Sequence, residues 1–190
     1  MNRDLIRKYI EMQPKRVVTV FDLDDSKIKY NGIVQNREVK EISGDEEVSR
    51  AFLLTRLVNE LGYDADKIEI EKEYTAGRAP KLNPRIDIVV RDKDGNAFLF
   101  IEAKSPSEYA TIDKDKTIDS QLYKVAALEK ASGRLVKYLV LYTTANTTSD
   151  VKDDCIIIDM EKYPTFEDYE NGRDYVKFLI FCNYFCNFVN

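Results

Sequence analysis

Asp87, Glu102 and Lys104 supply two carboxylates and an ammonium on two short apolar runs, 86–90 and 97–101, with Asp94-Gly95 between them. Asp-Gly between such runs is a strong hairpin signal, because glycine accepts positive φ without steric cost. Paired antiparallel, the runs bring Asp87 near Glu102. Strand alternation then puts Glu102 and Lys104 on one face, with Ala103 pointing away. Two carboxylates at one sheet edge make a hard-cation site beside a positive charge. Mg²⁺ suits it, since that ion takes one or two carboxylates and fills its other positions with water and substrate phosphate. The chemistry suggested is metal-assisted cleavage of a phosphodiester. Acid-x-Lys triplets also occur at Asp25-Ser26-Lys27, Glu38-Val39-Lys40 and Asp150-Val151-Lys152, but only Glu102-Ala103-Lys104 closes an uninterrupted apolar strand with an acid on its hairpin partner. On spacing alone, a sheet rim ending in solvated charges explains the pattern equally well.

The surrounding elements decide whether such a site is supported. Ser43 or Asp45 caps a helix that runs to Leu61 and stops at Gly62. Glu47, Ala51, Leu54, Val58 and Leu61 form one stripe on it, so Glu47 heads the apolar face and Glu46 turns outward. The other reading of Glu47 is an acid favoured by the helix N-terminus. Upstream, 4–12 reads as a short helix, 17–21 and 27–30 as strands around a turn, and 31–44 as a polar connector. Downstream, 67–75 is a strand with alternating Ile68 and Ile70, 76–84 a loop, and 105–116 a polar loop able to cover the site. Residues 117–131 read as a helix with Ile118, Gln121, Leu122, Val125 and Leu128 on one face, and 136–142 and 155–160 as buried strands. Gln121 inside that stripe asks for a partner, because an unsatisfied buried amide costs roughly 1–3 kcal/mol. The site, a DNA phosphate or a backbone group would each supply one.

Several motifs occur in a fixed order: Glu46-Glu47-Val48-Ser49-Arg50, Leu61-Gly62-Tyr63, the Glu-rich strand 68–73, Arg85-Ile86-Asp87, Glu102-Ala103-Lys104 and Gln121. This series resembles the PD-(D/E)xK nuclease superfamily. More narrowly, it resembles the nuclease domain at the N-terminus of type I restriction enzyme R (motor) subunits, over about 40–143. The family's Gln-x-x-x-Tyr puts Tyr at position 125, where this chain has Val125; Tyr123 falls on a different helix face. The resemblance implies a restriction-endonuclease-like core and a DNA endonuclease of a restriction-modification system. It implies Asp87, Glu102, Lys104 and Gln121 as catalytic residues. Mg²⁺, with Mn²⁺ able to substitute, is expected on Asp87 and Glu102, with the Ala103 carbonyl and Glu47 as further contacts. The expected partners are double-stranded DNA and other restriction-modification subunits or a downstream motor domain; no P-loop occurs here.

Length and composition bound the reading. At 190 residues and 44% hydrophobic, the chain suits one α/β domain, a mixed sheet flanked by helices. Its core is expected at about 45–143, with a helix and hairpin in 1–44 and an extension in 144–190, toward a further domain. Histidine is absent, which removes Ser-His-Asp and Cys-His chemistry and His-ligated zinc. The net charge of −5 argues against a generally basic nucleic-acid binder but leaves room for a local strip. Residues 72–91 offer one in Lys72, Arg78, Lys81, Arg85 and Arg91, against Glu73 and Asp87. Cys155, Cys182 and Cys186 are too few for a disulfide framework, and a reducing cytoplasm fits them. The apolar tail 175–189 is broken by Lys177, Asn183 and Asn187 and is short of the roughly 20 residues of a membrane span.

Two rival readings come from other classes. Val17-Val18-Thr19-Val20-Phe21-Asp22-Leu23-Asp24 resembles the nucleophile strand of haloacid-dehalogenase-like phosphatases, with Asp22 as phosphoryl acceptor and Asp24 as general acid. The same residues also read as an ordinary hairpin turn. The other rival is a DNA-binding module without catalysis.

Overall fold

The hairpin carrying the candidate residues forms as its turn chemistry dictates. Strands β5 (Arg85–Arg91) and β6 (Ala97–Ala103), numbered in chain order, pair antiparallel with Ile88 opposite Ile101. At the turn, the Asp92 carboxylate accepts the N–H groups of Asp94 at 2.9 Å and Asn96 at 2.8 Å, and Gly95 takes a φ of 81°. The computed structural model describes residues 1–21, 27–74, 83–146 and 150–172.

Around this hairpin lies a mixed six-stranded sheet in the order β3-β4-β5-β6-β7-β8. β4 (Ile68–Glu73) is antiparallel to β5, and β3 (Val34–Gln35) is parallel to β4. β7 (Val136–Asn146) is parallel to β6, and β8 (Val151–Asp159) returns antiparallel beside it. A parallel pair needs a crossover. It is supplied by α3 (Pro106–Thr111) and a rod made of α4 (Lys114–Thr117), a π-helical turn (Ile118–Tyr123) and α5 (Lys124–Ala131).

Both sheet faces are covered. On one, α2 (Asp45–Asn59) buries Leu53, Leu54 and Leu57 against Ile88, Ile101 and Val140. Helix α1 (Arg3–Glu11) and the antiparallel pair β1 (Val18–Phe21) and β2 (Lys27–Tyr30) join that core. On the other face, Ile118, Leu122 and Ala126 of the rod pack on Val89, Phe100 and Leu139, and Tyr169 of α6 (Phe166–Gly172) closes the edge. Consecutive residues such as Val89 and Val90 feed opposite cores, which is why the strands read as unbroken apolar runs. Among the described residues, no helix is long and apolar enough to cross a membrane.

The α/β class is as expected, and several local expectations are corrected. Helix α2 is capped by neither Ser43 nor Asp45; Gly44 precedes it, and Asp45 instead accepts the Arg3 guanidinium. It is buried well beyond one stripe, at Val48, Phe52, Leu53 and Leu57 too, because α1 and the β1–β2 pair pack on it as well as the sheet. The connector 31–44 contains β3, too short for a periodic signal. Residues 105–116 are not an open loop: Ser105 caps α3 by accepting the Glu108 N–H at 3.2 Å, with Pro106 opening the helix. The expected helix 117–131 begins earlier, at Lys114, and is interrupted by the π turn. Strands β7 and β8 run beyond the apolar stretches that announced them, since Thr143, Thr144, Asp153 and Asp154 also join the ladder. Asp22, Asp24, Arg78, Lys81, Cys182, Cys186 and the tail 175–189 lie outside the described residues.

Candidate active site

Asp87 and Glu102 each stand one step beyond the Ile88–Ile101 pair, where the ladder ends, and the Asp87 carboxylate is near enough to act on the Glu102 carboxyl. Lys104 Nζ lies 2.7 Å from Glu102 Oε1 and 3.9 Å from Glu108 Oε1. Asp87 is oriented through both oxygens: Oδ1 accepts from Arg50 and Oδ2 from the Ala103 N–H, each at 2.9 Å. What Ala103 contributes in this geometry is its N–H. The Lys104 backbone is tied to β7, its N–H donating to the Tyr142 carbonyl and its carbonyl accepting from Thr143 Oγ1, both at 2.8 Å. Asp87, Glu102 and Lys104 are all buried, so the rim is not a row of solvated charges.

Arg50 organises the acids behind this pair. Its guanidinium, 2% exposed as a residue, meets Glu71 at 2.6 Å, Asp87 at 2.9 Å, Glu47 at 3.3 Å and Glu46 at 3.9 Å. Glu46 and Glu47 reach it because they lie one helical turn earlier on α2. Glu46 therefore does not turn outward as expected; it is half-buried beside the site. Glu47 also accepts a short hydrogen bond from the buried Tyr30 hydroxyl, brought over by β2.

Glu71 arrives by a distortion. Ile68 and Ile70 face α2, so regular alternation would send Glu71 to the other face, where Glu69 pairs with Arg91. A φ of 55° at Glu71 turns it back toward Arg50. The β4–β5 ladder pairs Ile70 with Ile88 and Lys72 with Ile86 but skips Glu71, and Ile86 and Ile88 pack into opposite cores. The irregularity thus spans both strands at Glu71 and Asp87. A non-glycine residue in this region costs of order 1–3 kcal/mol and persists only where its surroundings hold it; here two arginines do, Arg50 and, at 2.9 Å, Arg85.

The electrostatics show where positive charge runs short. Burial and neighbouring Asp87 push the Glu102 carboxyl up to about 8, against the pull of Lys104. Burial, and then Asp87, also raises Glu46. Burial raises Glu47, with Arg50 and Tyr30 pulling the other way. Burial works against the Lys104 charge, but Glu102 and Asp87 hold its pKa above the usual value, and Asp87 and Glu47 do the same for Arg50.

A divalent cation fits this donor set as a loosely held ion rather than a caged one. Among the described residues, no three carboxylates are grouped as a metal cage. Asp87, bonded to Arg50 and the Ala103 N–H, and Glu102, paired with Lys104, are the hard oxygen donors that would hold the ion, and burial with the neighbouring Asp87 raises the Glu102 carboxyl. Glu47 is engaged by Tyr30 and Arg50. Gln121 lies on the π turn, half-buried, and its side-chain oxygen has no hydrogen-bond donor. The π turn packs against β5, β6 and β7, and such turns recur at functional sites.

The basic strip is only partly available. Lys72 and Arg91 are taken up by Glu69, and Arg91 also by Glu129. Sequence reasoning missed Arg50, Glu71 and Tyr30 as parts of the site. Arg50 stands in the Glu46-Glu47-Val48-Ser49-Arg50 motif that carries the family resemblance, but the motif gave it no role, and its spacing from the two acids also suits a surface ion pair.

Residues 45–129 match the family described as the type I restriction enzyme R protein N terminus (HSDR_N). That span, a little under half of the chain, contains Glu47, Arg50, Glu71, Asp87, Glu102, Lys104 and Gln121. No curated protein matches the chain.

Proposed function

We propose that this restriction-enzyme R-type domain is a Mg²⁺-dependent endodeoxyribonuclease that hydrolyses phosphodiester bonds of double-stranded DNA, with Mn²⁺ able to substitute. The observation that carries this reading is the buried Asp87–Glu102 pair with Lys104 at 2.7 Å. Asp87 and Glu102 would hold the metal, which would polarise the scissile phosphate and lower the pKa of a bound water. Lys104 orients the attacking water or meets the charge developing on phosphorus-bound oxygen. Arg50 fixes Asp87 from behind, and Glu47 fixes Arg50. Gln121 brings an unsatisfied amide oxygen to the rod beside the strands. No base-reading motif is evident, so other subunits or a downstream motor domain would direct cleavage to its place. A plasmid-nicking assay tests the reading: nicking with Mg²⁺ or Mn²⁺ and none in chelator is expected. DNA binding with no nicking under either metal would replace it by the inactive binding module.

Metal binding itself should be weak, because two carboxylates leave most positions to water and DNA phosphate. Calorimetry should show Asp87→Ala and Glu102→Ala each lowering Mn²⁺ affinity, while Asp66→Ala, on an exposed turn, does not. Equal losses in all three would mean diffuse attraction to an acidic chain.

The same pair predicts a pH dependence. Glu102 holds its proton in the folded state to about 8, against about 4.5 ordinarily. The folded state therefore binds more protons than the unfolded one between those values, so stability falls as pH rises through that window. Metal binding requires the carboxylate and competes with the proton. Thermal melts without metal should drop from pH 5 to pH 8, and Mg²⁺ should flatten the decline. A melting temperature that climbs with pH in the absence of metal would contradict this placement of Glu102.

A further inference from the structure

We propose that Arg85 is a phosphate contact that seats the DNA backbone against this site, and that Glu71 holds it ready. The proposal rests on the nuclease reading above and names how that site takes its substrate. Arg85 lies two residues before Asp87 on β5, at the rim: its side chain is 40% exposed, against 3% for Arg50 and 8% for Arg91. Glu71 divides its carboxylate between the two arginines, Oε1 to buried Arg50 at 2.6 Å and Oε2 to Arg85 Nη1 at 2.9 Å. That bridge is what the left-handed backbone of Glu71 accomplishes, since regular alternation would carry the carboxylate away from both. A guanidinium has five N–H donors in a planar fork matched to phosphate, and one ion pair leaves most of them for a ligand. Anchoring the side chain beforehand reduces the ordering entropy lost when DNA binds. Of the other described cations in 72–91, Lys72 and Arg91 are committed to Glu69 and Glu129. Arg85 is thus the described cation of that strip placed beside the carboxylate pair with donors to spare. Its ligand is a backbone phosphate flanking the one cleaved, so it adds affinity without sequence preference.

The test is the salt dependence of binding to a short DNA duplex, measured with the full chain and no divalent cation, so that cleavage does not intervene. Each phosphate neutralised contributes about 0.9 to the slope of log affinity against log salt. Arg85→Ala should flatten that slope by about one unit and weaken low-salt binding to the same extent for duplexes of different sequence. Arg85→Lys, which keeps the charge but not the fork, should retain the slope and lose part of the affinity. An Arg85→Ala protein with the wild-type slope overturns the proposal even if it melts lower, because a purely structural ion pair moves stability and leaves the slope alone. Wild-type protein that fails to bind the duplex also overturns it. A slope change without nicking by the wild type would retain Arg85 as a phosphate contact and remove the nuclease reading.

Discussion

Lys104→Ala should lose plasmid nicking by about 10²–10³-fold while remaining folded. The ammonium lies 2.7 Å from Glu102 and is buried, so it is held where charge develops rather than where it is already solvated. Removing a preorganised donor of this kind costs rate and little ground-state binding. The folded state tolerates the change because burial and Asp87 already hold the Glu102 carboxyl up to about 8, so removing the cation at neutral pH strands little additional charge. Mg²⁺ can also replace part of the lost positive charge. The variant should therefore melt near wild type with Mg²⁺ present and bind DNA nearly as well. Gln121→Ala should give a milder loss, since Val125 stands where the family pattern has a second polar residue. Lys104→Ala nicking at the wild-type rate would take this triplet out of the chemistry.

The hairpin was legible because its signals are local. Asp94-Gly95 sets the turn and the apolar runs mark the two strands, but the alignment of Asp87 with Glu102 is not set locally: Arg91 opposes Ala97 while Val90 opposes Leu99, and without this one-residue shift Asp87 would lie opposite Ile101. The helix rod was legible as a helix, but its π turn was not, because a single inserted residue leaves the apolar spacing nearly intact. The Ser105-Pro106 cap was present in the sequence, yet polar residues outweighed it and 105–116 read as open chain. The deeper failure concerns Arg50, Glu71 and Tyr30. Arg50 three and four residues after Glu47 and Glu46 suits a solvent-facing helix pair. What makes it a buried hub is the arrival of β4 and β2 from elsewhere in the chain. Glu71 was beyond reach for another reason: strand periodicity assigns it to the opposite face, and the residue abandons that periodicity through its backbone.

Arg50→Met should therefore destabilise the protein by about 3–5 kcal/mol at neutral pH, the range for stranding buried charge. Asp87 would lose its guanidinium partner at 2.9 Å, Glu47 its at 3.3 Å and Glu71 one of its two, at 2.6 Å, keeping Arg85, with none of these acids able to reach water freely. Arg3→Met is the matched control. Its ion pair with Asp45 is as short, at 2.8 Å, but the two side chains are 45% and 32% exposed, and such pairs are worth about 0–1 kcal/mol. The pH dependence separates the two further. Stranded carboxylates take up protons more readily folded than unfolded, so the Arg50→Met protein regains stability on acidification while the wild type still has its guanidinium to satisfy. The gap between them in urea unfolding should narrow from pH 7 toward pH 4.5. Adding Glu71→Gln to Arg50→Met should recover part of the loss, because one stranded charge is then gone. Arg50→Met costing no more than Arg3→Met would mean that water reaches the acids around Arg50. The cost would then belong to lost packing alone, and the enclosed electrostatics argued for Asp87 and Glu102 would fall with it.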